Sequence, residues 1–350
     1  MSRWKHSWLI GCVALLFTAN GFCDATAAEP NAEAYRLNRA LGHGVNLGNM
    51  LEIPRDANWG IKLEEGYFAL IQQAGFQSVR VPINWAAHAD KAAPFAIEPA
   101  FFAKVDWVVE QALKHQLVVI LDLHHYEEMF TAPAEHLPRC QALWRQVAEH
   151  YRDQPEQVYF ELLNEPHGKL EDDVWNDVIP QLLSVIRASN PNRAVVVGPS
   201  GWNGIWKLDK LRLPADDHRL IVTVHHYNPF QFTHQGASWS QGSDKWLGKT
   251  WTGTTEEQQA LDKDFDRAAA WAKKHDRPIY LGEFGAYSKA PMDSRVTWTR
   301  AVVGAAERSG FSWSYWEFAA GFGVYDPAAH AWREPLLRAL LPSAKLSSAK

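Results

Sequence analysis

Cysteine is scarce in this chain: Cys12, Cys23 and Cys140 are the only three in 350 residues. The first two fall in an N-terminal stretch read below as removable, which leaves one. A lone cysteine closes no intramolecular disulfide, so a disulfide-framed fold is excluded even for an oxidising destination. Cys140 sits in an Ala/Leu/Trp-rich stretch and is expected to be packed core. An excess of positive charge is also missing. The formal net charge is −5, which leaves no basic surplus for nucleic acid or an anionic membrane surface. No apolar run beyond the N-terminal stretch approaches the ~20 residues a membrane-spanning helix needs. The chain has no linker, repeat or low-complexity segment, and no Gly-x-Gly-x-x-Gly turn follows its first strand-like run, which weighs against a doubly wound dinucleotide-binding sheet.

What the chain has in plenty is tryptophan, 17 residues, within a composition that is 47% hydrophobic. That is ample for a large core. Indole in loops also suits a sugar-binding cleft, because pyranose C–H faces stack on the ring while hydroxyls stay hydrated.

The N-terminus is organised as an export signal. Arg3 and Lys5 precede an apolar run from Trp8 to Ala19, and Ala25-Thr26-Ala27 offers a small-x-small cleavage site. Residues 1–27 are expected to be a secretory signal peptide, and the mature protein to be secreted or periplasmic. Leu9-Ile10-Gly11-Cys12 resembles a lipobox but stands too early in the apolar run.

From residue 40 onward, apolar runs alternate with amphipathic stretches. Strands are predicted at Gly44–Leu47, Ser78–Ile83, Val118–Leu123, Val158–Leu163, Ala194–Gly198, Leu220–Val224, Pro278–Leu281 and Phe311–Tyr315. Their near-continuous hydrophobic character fits parallel strands covered on both faces. Helices are predicted at Phe101–His115, Glu135–Tyr151, Val174–Ala188, Thr255–Lys274 and Asp293–Ser309, with Gly75 and Gly310 at helix C-termini. Eight strands alternating with helices predict a (β/α)8 TIM barrel in a single catalytic domain, residues 28–342, followed by a short polar tail, 343–350. The longest non-periodic segment is 229–253, after the sixth strand.

In such a barrel the working residues lie where the strands end. Those ends carry Asn46, Asn49 and Glu52; Arg80, Asn84 and Trp85; His124, His125 and Tyr126; Asn164 and Glu165; His225 and Tyr227; Glu283; Trp316 and Glu317. Polar groups are expected there and almost nowhere in the strand bodies. The strings Gly44-Val45-Asn46-Leu47-Gly48-Asn49, Val79-Arg80-Val81-Pro82, Leu121-Asp122-Leu123-His124-His125, Leu163-Asn164-Glu165-Pro166, His225-His226-Tyr227-Asn228-Pro229, Thr233-His234-Gln235-Gly236, Gly282-Glu283-Phe284-Gly285 and Trp316-Glu317-Phe318 follow one another in order. Together they resemble a retaining endo-β-glycanase of glycoside hydrolase family 5, the cellulase family, over nearly the whole mature chain.

The resemblance implies that Glu165 is the general acid/base and Glu283 the nucleophile of a double displacement, with the carboxyls ~5–5.5 Å apart. Arg80 and Tyr227 match positions that keep the nucleophile ionised, so the pKa of Glu283 is expected to be lowered, and that of Glu165 raised by desolvation. Asn164 matches the residue that holds the sugar 2-hydroxyl, and Trp316 the floor under the sugar before the cleaved bond. His124, His125 and His225 match cleft positions, and Asn49, Glu52 and His234 match sugar contacts in one branch of the family. His226 opposes His225 and Tyr227 on the strand and is left outside the site. Glu161 is read as a structural barrel group. Glu317 is left open between substrate contact and support. Trp59, Trp85, Trp202, Trp206 and Trp239 are open between groove and packing.

The implied activity is an endo-β-1,4-glucanase needing no cofactor and no metal, acting as a monomer on a β-glucan polysaccharide or oligosaccharide. Mixed-linkage glucan, xyloglucan and (gluco)mannan are the alternative substrates. Two rivals of another class are a metal-dependent barrel hydrolase, prompted by the His-His pairs, and a non-catalytic glycan-binding barrel.

Overall fold

A computed structural model of the protein describes residues 1, 2, 4, 31–55 and 57–344. The expected signal peptide, apart from positions 1, 2 and 4, and the tail beyond residue 344 lie outside the described residues. Eight strands, β1 (His43–Asn46), β2 (Ser78–Ile83), β3 (Val118–Leu123), β4 (Val158–Glu161), β5 (Val195–Val197), β6 (Leu220–His225), β7 (Ile279–Glu283) and β8 (Ser312–Tyr315), close into a barrel in chain order. Every neighbouring pair is parallel, and β1 closes on β8 through His43 opposite Trp313 and Val45 opposite Tyr315. This is the (β/α)8 TIM barrel expected from the sequence.

The five predicted helices are present, within two residues at either end, as Pro99–Lys114, Pro133–His150, Asp172–Ser189, Thr255–His275 and Met292–Arg308. Their ends follow local chemistry. Thr254 and Glu257 form a reciprocal capping box that starts the helix Thr255–His275. The helix Glu65–Ala74 ends at Gly75 with φ 106°, a left-handed conformation that costs glycine little. The segment 229–253 is not structureless, since it carries one helical turn at Phe230–Thr233 and a 3-10 turn at Ser243–Trp246.

Strand periodicity divides the barrel into an outer and an inner population. Val119, Leu121 and Leu123 of β3 belong to the large cluster shared with the surrounding helices. The alternate residues Val118 and Ile120 join Tyr159, Ala194, Val196, Ile221 and Tyr280 inside the barrel. Leu37 and Leu41 of an N-terminal helix, Ala32–Leu41, pack into the same inner cluster and cap it from below. Periodicity from residue 40 onward could not reveal that plug. Above the apolar layer the barrel interior turns polar: Asn46, Ser78, Arg80, Asp122, Glu161, Thr223 and Ser314 are all fully buried. The expectation that strand bodies would carry almost no polar groups is therefore incorrect, although Glu161 is the structural barrel group expected. Parallel strands covered on both sides look uniformly apolar only where both faces meet hydrocarbon, and here one face supports the site.

Candidate active site

The polar layer converges on one guanidinium. Arg80, on β2, is completely buried. Its Nε and Nη2 donate to both oxygens of Glu161 at 2.7 and 2.8 Å, and Nη2 lies 2.9 Å from Asp122 Oδ2. Nη1 donates to Asn46 Oδ1 at 3.0 Å and to Glu283 Oε1 at 2.6 Å, and Nη2 also donates to Asn164 Oδ1 at 2.8 Å. The planar fork thus holds three carboxylates and two amides in fixed positions, which a flexible ammonium could not do. Because Arg80 occupies the Asn164 carbonyl oxygen, the amide nitrogen of Asn164 is left for the cleft and for His124 Nε2 at 3.5 Å. Asp122 Oδ2 lies 2.6 Å from His124 Nδ1 and orients that ring, which stacks on Trp316 at 5.5 Å with an interplanar angle of 4°.

The two glutamates face each other across the mouth. Glu283 ends β7 and is buried; Tyr227 Oη donates to its Oε2 at 2.9 Å, opposite the Arg80 contact. Glu165 follows β4 in a left-handed conformation with φ 47°, and His225 Nδ1 lies 2.8 Å from its Oε1 and 3.6 Å from Glu283 Oε2. Donor atoms of Glu165, His225 and Glu283 all fall within 4.8 Å of one another. The ladder between β6 and β7 shifts at Val224/His225, so that His225 pairs with Glu283 and skips Gly282. The bulge aims both side chains at the mouth, and a Cβ on Gly282 would collide with the Thr223 hydroxyl.

A single guanidinium faces Asp122, Glu161, Glu165 and Glu283, so full ionisation of all four carboxyls is unfavourable. Burial pushes the Glu165 carboxyl up to about 7 against the pull of Arg80, and Asp122 likewise to about 7. Glu283 is also raised, chiefly by burial, with His225, Arg80 and the Tyr227 hydrogen bond pulling it down and Glu165 pushing it up. Arg80 and Tyr227 do pull Glu283 down as expected, but the expected net lowering is corrected, because burial outweighs them. The guanidinium is shared with Glu161 and Asp122, and its charge does not offset the desolvation of the site. Burial holds His225 down at about 4, so its ring is neutral near pH 7.

Two cavities meet over this pair. One, of about 720 Å³, is lined by Asn49, Glu52, Trp59, His124, His125 and Trp316 together with Asn164, Glu165, Tyr227, His234, Trp239 and Glu283. The other, of about 610 Å³, continues past Glu165, Tyr227, His234 and Trp239 to Trp202, Trp206, His225, Phe230 and Asp264. All twelve residues to which the resemblance gives a site role reach this region, Arg80 from beneath it. Glu52 faces the cleft with little free capacity: it is 1% exposed, accepts the backbone N–H groups of Asn49 and Met50, and is raised by burial to about 7. Glu317 resolves to a supporting role, since its carboxylate accepts the N–H groups of Ala319, Ala320 and Phe322 and holds the loop after β8. Of the open tryptophans, Trp59, Trp202, Trp206 and Trp239 line the cavities, and Trp85 is buried against Phe101 and Phe102. His226 stacks on Trp298 and touches only the second cavity.

Three groups were given no site role from the sequence, although Asp122 lies in one of the strings that carry the resemblance. Asp122 lies inside a strand that reads as core, Asn203 sits in a loop, and Asp264 is on a helix. None stands at a strand end, and only the closed barrel brings them in. Among the described residues, Glu165, His225 and Glu283 are the one group spaced to hold a cation. Both Glu283 oxygens already accept from Arg80 and Tyr227, so the set fits a carboxyl pair better than a metal centre. His43, the histidine of β1, stacks on Trp313.

The arrangement has close counterparts. The family model described as cellulase (glycosyl hydrolase family 5) matches residues 40–321. Endoglucanase H of Acetivibrio thermocellus is 34% identical over 292 residues, which cover 83% of this chain and 31% of that protein. The chain therefore spans about a third of that relative's length. The structure of Thermotoga maritima Cel5A in complex with cellobiose superimposes with a TM-score of 0.86 at 46% identity, covering 88% of this chain and 100% of the other. The same protein in complex with mannotriose gives 0.86 at 45% identity over the same shares. The barrel, the carboxyl pair after β4 and at the end of β7 and a match spanning most of the sequence lead to one conclusion: this chain belongs to the cellulase family, glycosyl hydrolase family 5.

Proposed function

We propose that the protein is an exported, retaining endo-β-1,4-glucanase in which Glu165 is the general acid/base and Glu283 the nucleophile. The observation that carries this reading is the placement of two carboxyls, with donor atoms within 4.8 Å, in unlike environments. A retaining pair needs ~5–5.5 Å between carboxyls, whereas an inverting pair needs ~6.5–9.5 Å to admit a water. Glu165, held up at about 7, starts protonated below that pH and gives its proton to the glycosidic oxygen. Glu283, fixed by Arg80 and Tyr227, attacks the anomeric carbon as the leaving sugar departs. Glu165, now a carboxylate, takes a proton from water, and that water displaces Glu283 from the glycosyl-enzyme. Asn164 holds the 2-hydroxyl, whose contact strengthens in the oxocarbenium-like transition state.

The two cavities flank Glu165, so a glucan chain can lie on both sides of the cleaved bond, as endo action requires. Export rests on the residue 1–27 pattern. A second reading is mannan or glucomannan as substrate, favoured by the mannotriose complex of Thermotoga maritima Cel5A. Reducing-sugar release from soluble cellulose, barley glucan, xyloglucan and mannan, with viscosity followed in parallel, decides among them. A fast viscosity drop on cellulose or barley glucan supports the proposal, and activity on mannan alone selects the second reading. The roles are separated by Glu283→Ala. Hydrolysis should be abolished with the fold intact, and azide should restore turnover with inverted product. Wild-type activity in that variant would refute the assignment.

A further inference from the structure

His225 touches both glutamates, and its single proton at neutral pH must reside on one ring nitrogen. Which one is decided by the residue behind it. Asn203, in the loop after β5, is fully buried, and its Nδ2 lies 3.3 Å from His225 Nε2. Its backbone oxygen also accepts the His225 N–H at 2.9 Å, and Gly204 bridges to His225 as an extension of the β5–β6 pairing. The backbone of Asn203 is left-handed, φ 53°, as is that of Trp202, φ 58°. Asparagine tolerates this conformation better than most side chains. The amide fits because Gly198 has no side chain: a Cβ there would collide with Asn203 Oδ1. Residue 198, the left-handed turn and the Asn203 amide thus form one device aimed at the rear nitrogen of His225.

We propose that Asn203 is a positioning residue that fixes the tautomer of His225. Its amide N–H donates to Nε2, so the ring proton stays on Nδ1. From there it donates to Glu165 Oε1, leaving Oε2 as the oxygen that gives and takes the catalytic proton. The same Nδ1–H stabilises Glu165 as a carboxylate after the first step, when it must act as base. The inference rests on the role proposed for Glu165. The charged and titratable groups around the His225 ring are Arg80 from β2, His124 after β3, Glu161 and Glu165 from β4 and its loop, and Glu283 from β7. Tyr227 lies two residues further along the chain from His225.

The test uses two variants and a readout independent of hydrolysis. In Asn203→Asp a carboxylate would accept from Nε2–H, favouring the other neutral tautomer. Asn203→Gly keeps the left-handed turn and removes the amide. Nitrogen NMR of ¹⁵N-histidine-labelled protein, with the His225 signals assigned through His225→Gln, should show Nδ1–H in the wild type. It should show a protonated Nε2 in Asn203→Asp and mixed tautomers in Asn203→Gly. On the substrate that wild type cleaves, kcat should fall about 10–100-fold in Asn203→Asp, less than the ~10²–10⁴-fold that a general acid–base group supplies outright, with KM changed less than about threefold. Because the Nε2–H tautomer takes away the donor that stabilises the Glu165 carboxylate, the basic limb of its pH profile should move to higher pH. The inference is overturned if His225 keeps the wild-type tautomer in both variants, or if kcat falls with tautomer and pH profile unchanged. Absence of glucan hydrolysis in the wild type would defeat the functional reading and leave the NMR result to judge the tautomer.

Discussion

Arg80 shows how much one residue carries here. Its five donors are distributed over Glu161, Asn46, Glu283 and Asn164, with Asp122 beside them. Arg80→Lys retains the charge but loses the planar fork. It should lower kcat by about 100-fold or more, the scale of one lost electrostatic stabiliser, while circular dichroism stays native. Steady-state kinetics on a soluble β-glucan checks this. Glu165 supplies a second prediction. Because its carboxyl titrates at about 7 and must be protonated to act, kcat/KM should fall as pH rises through that value. With a dinitrophenyl glycoside, whose leaving group needs no proton, that limb should disappear. Glu165 and Glu283 were legible in the sequence because a charged residue at the end of an apolar run is conspicuous, and Arg80 because the string Val79-Arg80-Val81-Pro82 carries the family resemblance. Asp122 and Asn203 were not, because a strand interior and a glycine-flanked loop look ordinary until the barrel closes.

The elements divide the labour between stability and chemistry. Strand tops and the loops after them build the cleft, and the bulge between β6 and β7 sets the spacing of His225 and Glu283. The bottom is structural. The helix Ala32–Leu41 inserts Leu37 and Leu41 beneath Ile120, Tyr159, Val196 and Tyr280. Leu37→Ala should cost about 2–5 kcal/mol, as truncations in unyielding cores do, with kcat unchanged in the folded fraction. Urea unfolding followed by tryptophan fluorescence measures the first, and initial rates the second. Strand and helix boundaries were readable because periodicity changes from 2 to 3.6 between them. The predicted strand Val158–Leu163 runs past the observed β4 because the apolar pattern continues to Leu163. The backbone leaves the ladder nearer Glu161 and reaches a left-handed turn at Glu165. Hydrophobicity marks burial, and these residues stay buried after pairing ends.

At the scale of the whole molecule, desolvated acids and desolvated histidines pull the response to pH in opposite directions. Glu52, Asp122, Glu165 and Glu317 are all raised to about 7, chiefly by burial. Such groups bind a proton in the folded state that the unfolded chain has already released. Their contribution to stability is complete below the unfolded value near 4 and is lost as pH rises towards 7. Glu33 and Glu156, lowered by hydrogen bonds from Arg36, act oppositely and lose their contribution as pH falls below the ordinary carboxyl range. His88, His125, His225, His226 and His234, held down at about 3 to 4 by burial, likewise lose their contribution as pH falls from 6.5 towards 4. Urea midpoints should therefore be highest between about pH 6 and 7 and lower at both pH 5 and pH 8; a midpoint that rises steadily to pH 8 would contradict the burial of these acids. The sequence by itself determined the eight-strand alternation, the positions of Glu165 and Glu283 at two strand ends, and the family resemblance, because local periodicity and short strings encode them. Only the tertiary structure decided that Arg80 is shared among several carboxyls and that Glu283 is raised, not lowered. It likewise decided that Glu317 supports a loop and that Asn203 reaches His225. Those properties depend on burial and on distances between residues far apart in the chain, which exist only once the barrel has closed.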